Sequence, residues 1–354
     1  VGDVSGVSES PARFELPARW KLVADDFVTA LAASPDGALV AVGDASGAVT
    51  LVRASDGAVQ WKRSLFAMGV LSLDWHPSGA TVAASGQDRF AHVLERESGA
   101  SQRKLDGGGP WIEHARWASH GKTLATAAGK VVRFWNTDGS PLLETPPHES
   151  TVAAIAWRKD GNELAAACYG GVYFWTPSRG ASTRQFLWKG SLLSLAWSPD
   201  IKVLAASSQD CSVHFWRLSS GKDSKMTGYP FKPKALAWDA ASSLLATGGD
   251  KTVVLWSFSG KGPEGSAPIE LQAHQGLVTE LAFHRSKCVL ASGSEDASVI
   301  LWEPRRGRSL VGYGFVEDKV SALAWAESDR IVVGDASGHV HCFSSDNSQV
   351  FLSH

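Results

Sequence analysis

The stretch HQGLVTELAFHRSKCVLASGSEDASVILW, residues 274 to 302, decides the fold. An apolar run ending in an aromatic, VTELAF, is followed by a turn and a strand of small residues, LASGS. A tight turn through Asp296 then leads into a β-branched run that ends on Trp302. Runs this short, bounded by turn signals this regular, are β-strands.

The first element recurs along the chain as ALAA at 30–33, SLDW at 72–75, HARW at 114–117, AIAW at 154–157, SLAW at 194–197, ALAW at 235–238, ELAF at 280–283 and ALAW at 322–325. The ends of these eight segments lie 40 to 45 residues apart, the period of a four-stranded propeller blade. The β-branched strand follows in step, as VVRFW at 131–135, VYFW at 172–175, VHFW at 213–216 and VVLW at 253–256. A more variable fourth strand completes each unit, for example AVQWKRSL at 58–65.

The expected architecture is therefore all-β: a β-propeller of eight four-stranded blades, with seven as the alternative. Units are expected to start near residues 27, 69, 111, 151, 191, 232, 277 and 319, in a single domain over 14–354. A ring must close. ARWKLVADDF at 18–27 is similar to the fourth strand QWKRSLFAMG at 60–69, with Trp20 answering Trp61, so the N-terminal strand is expected to pair with the last blade. Gln349 through Leu352 compete for the same edge. Residues 1–13, VGDVSGVSESPAR, read as a polar tail.

With these motifs in place, the chain resembles the WD-repeat β-propeller family over roughly residues 18–352. The seventh unit matches best, and the resemblance implies that His274, Ser292, Asp296 and Trp302 form that family's buried structural tetrad. Ser207, Asp210 and Trp216, and Thr247, Asp250 and Trp256, match in part without a histidine. Leu94 and Phe343 stand where the family has tryptophan, and no literal Trp-Asp dipeptide ends a unit.

Composition bounds the function. The chain has 354 residues, 44% apolar and 20% charged, with a formal charge of −2, so no basic footprint for nucleic acid exists. No apolar stretch approaches the roughly 20 residues that cross a bilayer. The four cysteines are scattered without a CxxC spacing, which fits a reducing compartment and a cytoplasmic expectation. His339 and His341 share one strand face, but two ligands do not make a metal site. Neither a GxSxG elbow nor a P-loop is present, and no cofactor or catalysis is expected.

The connections between units carry aromatics where polar turns would suffice. Phe27, Met68, Trp111, Trp188, Tyr229, Phe231, Lys232, Leu277, Tyr313 and Lys319 are the expected partner-binding residues, with Phe66, Phe186 and Phe315 either on the same rim or buried as strand ends. The resemblance implies a non-catalytic interaction scaffold, monomeric by itself, that binds a peptide or partner domain on this rim. The alternative is an enzyme or small-ligand binder using the central channel, where Thr29, Asp74, Glu113, His114, Arg116, Thr279, Glu280 and Ser321 are too dispersed to name a reaction. On the opposite rim Arg305, Arg306 and Arg308 form a basic turn.

Overall fold

The computed structural model describes residues 14–179, 182–260, 262–306, 309–327 and 329–346. All but one of the regular elements in these residues are β-strands; the exception is a short 3-10 turn at Pro304–Arg306. The strands form a β-propeller. Inner strands Val28–Ala33, Val70–Trp75, His114–Trp117, Ala154–Trp157, the end of Ser182–Trp197, Ala235–Trp238, Val278–Phe283 and Val320–Ala326 contact one another in that order, and the last returns to the first.

Hydrogen bonding gathers the strands into seven sheets, not the eight separate blades expected. The reason lies at units four and five. Ser182–Trp197 runs for 16 residues as the outer strand of one unit and the inner strand of the next, so both units share a six-stranded sheet. Leu164–Trp175 is also continuous, because Gly170 and Gly171, at φ 93° and 134°, turn the chain without breaking the ladder. Elsewhere each unit is a four-stranded antiparallel meander.

Ring closure comes from the N-terminal strand. Ala18–Val23 pairs antiparallel with His339–Ser344, Trp20 lying opposite Cys342. The competing residues 349–352, like the tail at 1–13, lie outside the described residues. The sequence did not suggest a second attachment: Phe14–Glu15 adds a fifth, parallel strand to the outer edge of unit seven and buries Leu16. The N-terminal segment thus ties unit seven to unit eight.

Apolar clusters sit at the junctions between neighbouring units, such as Leu39, Leu51, Trp61, Trp75 and Leu94 between units one and two. Burying these two-sided sheets is what the hydrophobic effect demands of strands with apolar residues on both faces. Tryptophans also bond across the junctions. Trp75, Trp157, Trp197, Trp238 and Trp325 each donate the indole N–H to an inner-strand carbonyl of the preceding unit, over 2.9 to 3.1 Å.

Candidate functional site

One face of the ring carries the connections between units together with the turn between each unit's second and third strands. The two kinds of loop are hydrogen-bonded in pairs: Ala45 to Phe27, Gln87 to Gly69, Phe231 to Gly249, Glu295 to Leu277 and Ala336 to Lys319. Aspartates stiffen these turns. Asp44 accepts the Ser46 N–H at 2.9 Å and the Ser46 hydroxyl at 2.5 Å, and Asp335 does the same for Ser337 at 3.0 and 2.9 Å.

Beneath this face lie buried polar chains that end in tryptophan. In unit seven, Trp302 donates its indole N–H to Ser292 Oγ at 2.8 Å, and Ser292 donates to His274 Nε2 at 2.7 Å. His274 Nδ1–H then donates to Ser298 Oγ at 2.7 Å, and Ser298 donates to Asp296 at 2.5 Å. The tautomer follows from the two ends, because an indole can only donate and a carboxylate only accept. Burial holds His274 down to about 4, the neutral form this order needs, although Asp296 pulls the other way. Burial alone would raise Asp296, but the Ser298 hydroxyl and the Gln275 and Ser298 N–H groups hold its carboxyl well below the usual range. The Ser292 hydroxyl is spent on this chain and fully buried, so the set offers no nucleophile.

Ser298, the link between His274 and Asp296, is a residue that sequence reasoning missed. Its signal was present, since Asp-Ala-Ser recurs at 44–46, 296–298 and 335–337. Two further acceptors were missed. Trp256 donates to Tyr229 Oη at 2.7 Å, the Tyr229 and Thr247 hydroxyls are hydrogen-bonded at 2.8 Å, and Trp175 donates to His148 Nε2 at 3.1 Å. Tyr229 and His148 each precede their tryptophan by 27 residues, nearly the His274-to-Trp302 spacing, and that spacing would have found them.

The structure divides the expected partner-binding residues. Met68, Trp111 and Phe231 are exposed, at 52%, 46% and 53%, and so are Lys232 and Lys319. Tyr229 is corrected to a buried position, for the reason just given. Trp188 is half-buried, its ring 3.6 Å from that of His214 and under Lys225. Phe27, Leu277 and Tyr313 are half-buried, Tyr313 packing into the junction between units six and seven. Phe66 is buried and Phe186 stacks on Trp216, whereas Phe315 is exposed.

A cluster on unit eight brings Glu317, Asp335 and His339 together, with His341 and Lys21 also bonded to Glu317. These carboxylates are already engaged, because Asp335 caps its turn and Lys21 pairs with Glu317. On the opposite face Arg305 approaches Asp239 at 3.5 Å, while Arg308 lies outside the described residues. Inside the channel, burial pushes Glu280 up to about 8 and Asp74 up to about 6.

Comparison with known proteins agrees with this geometry. The family model described as WD domain, G-beta repeat matches residues 63–93, 183–217, 225–257 and 265–303. Among curated relatives, the chain is 24% identical over 320 residues to Actin-interacting protein 1 of Drosophila melanogaster, covering 83% of this chain and 50% of that protein. It is 26% identical over 252 residues to Cell division cycle 20.4, cofactor of APC complex, of Arabidopsis thaliana, covering 66% and 55%. The chain thus spans about half the length of these relatives. Among solved structures, the computationally designed Ika8 protein superposes with a TM-score of 0.79 at 20% identity, over 94% of this chain and 99% of that one. The chain thus carries four stretches that match the WD repeat, set in a β-propeller whose inner strands close a ring.

Proposed function

We propose that the protein is a non-catalytic platform that docks a protein partner on the face bearing the connections between units. The observation that carries this reading is the exposure of Met68, Trp111, Phe231 and Phe315 on that face. Each belongs to or borders a connection where a polar turn would close the chain equally well, and exposed aromatics of this kind have the composition of an interface hot spot. The paired loops are fixed by hydrogen bonds to one another, so little ordering entropy is lost on docking. The names of the relatives, an actin-interacting protein and a cofactor of a complex, describe proteins that engage other proteins. That supports the class of function and names no partner for this chain.

The test is capture from native extract with the wild type and with Trp111→Ala/Phe231→Ala, followed by identification of bound proteins. A partner held by the wild type and lost by the variant, with the melting temperature kept, is the expected result. Retention of every bound protein by the folded variant refutes this face.

A further inference from the structure

The inner strands line the central channel with small residues, and one position shows this clearly. Just before the strand-end residue, units one and four to eight carry Ala32, Ala156, Ala196, Ala237, Ala282 and Ala324. Units two and three instead carry Asp74 and Arg116.

At that substitution a repeated bond is lost. In five other units the strand-end indole donates to the carbonyl of this position in the preceding unit. For Trp117 the matching acceptor belongs to Asp74, yet the Trp117 indole N–H is buried without a partner. The Asp74 carboxylate instead accepts the Trp117 backbone N–H at 2.6 Å. A dry, unpaired donor is costly to a fold. Asp74 therefore stands where the repeat is less stable for having it, whereas the Arg116 carbonyl keeps the repeated bond by accepting the Trp157 indole N–H; a substitution held at such a cost is what a site retained for binding looks like.

A third charge joins them from across the ring. Arg285, in a turn of unit seven, reaches past unit eight and donates to the carbonyls of Pro35 at 2.8 Å and Ser34 at 3.3 Å in unit one. Asp74, Arg116 and Arg285 together line a recess of about 530 Å³ at this end of the channel, opposite the proposed docking face. Arg116 is anchored through Ser72 and the Ala115 carbonyl, which leaves further N–H groups of its five free to meet a ligand. Two guanidiniums that stay charged against one carboxylate give this open recess a net positive charge.

We infer that this recess binds the carboxylate or phosphate group of a small molecule, with Arg116 and Arg285 as the anion-binding residues. Asp74, held by the Trp117 N–H, offsets part of that positive charge and limits affinity for anions in general.

The test is calorimetric titration of the full chain at low ionic strength with inorganic phosphate and, separately, with succinate. One saturable site is expected, with the tighter of the two anions giving the class of ligand. Arg116→Gln and Arg285→Gln should each weaken binding about tenfold or more, the loss expected of a charge-assisted hydrogen bond. Arg116→Lys should retain part of the affinity, and the isosteric Asp74→Asn should tighten binding of either anion. Thermal melting verifies that each variant is folded. Absence of saturable binding by both anions, or affinity unchanged in the two folded glutamine variants, overturns the inference.

Discussion

The Trp20 ring lies against Gly57, so close that a Cβ added to that glycine would stand 2.7 Å from it, and the indole N–H reaches the Ala54 carbonyl at 2.8 Å. Trp61 repeats the arrangement one unit later with Gly99 and the Arg96 carbonyl. The closing junction is thus built like an internal one. Trp20→Ala should destabilise the protein by about 2 to 4 kcal/mol, as large-to-small changes at packed aromatics do. Gly57→Ala should cost more than about 1 kcal/mol, since φ there is 73° and the ring blocks the methyl. Denaturant midpoints of the two variants check both values, and a midpoint unchanged by Trp20→Ala would mean the ring closes without it.

The chain from Trp302 to Asp296 acts as one unit. Trp302→Phe and Ser298→Ala should each cost about 1 to 3 kcal/mol, because each strands a buried polar atom. Their double variant should lose less than the sum, since the residues share a network. Equilibrium unfolding of the four proteins gives the coupling, and strict additivity would argue against a connected chain.

Mild acid should weaken the fold. Burial lowers His274, His114 and His214 to about 4, against 6.5 for a free imidazole; the Arg116 charge assists at His114. Each depressed histidine contributes stability that is complete above pH 6.5 and lost as pH falls through 4. Melting temperature should therefore decline over that interval, before Asp296 begins to protonate at still lower pH. Measured in Glu280→Gln, which removes the opposing contribution of that raised carboxyl, a melting temperature flat from pH 6.5 to 4 would show these imidazoles to be accessible in the folded protein.

Glu280 lies in the channel with no hydrogen-bonding or ionic partner among the described residues, and burial pushes its carboxyl up to about 8. A carboxyl raised in the folded state destabilises the protein as pH rises above its ordinary range. Glu280→Gln should accordingly stabilise the protein at pH 7.5 by about 1 to 3 kcal/mol and have little effect at pH 4. Paired melts at the two pH values measure the difference, and an equal shift at both would point to packing as the cause.

Much of the fold was legible because the repeat is periodic. The eight first-strand segments, the strand-end tryptophans and the likeness of Trp20 to Trp61 each report a local environment, and these environments recur about every 42 residues. The fused sheet was less legible, because the period places residues 186–190 in a connection between units, whereas they continue a strand. The candidate face was read partly in error for a similar reason. Tyr229 and Phe231 are two residues apart in one connection, but only the second reaches solvent, since a hydroxyl placed under Trp256 is worth more buried and bonded than exposed. The recess beside Asp74 could not be read in one dimension, since Arg285 comes to it from the far side of the ring.

The pairing of Ala18–Val23 with His339–Ser344 also sets a timetable. Ala18–Val23 is made before the units of the ring and has no partner until the last of them has been made, so it waits while the units between assemble from local contacts. Contacts this distant in sequence are slow to form and leave an unpaired strand edge open meanwhile, which makes the final latch the step most exposed to misassembly and to a helper protein.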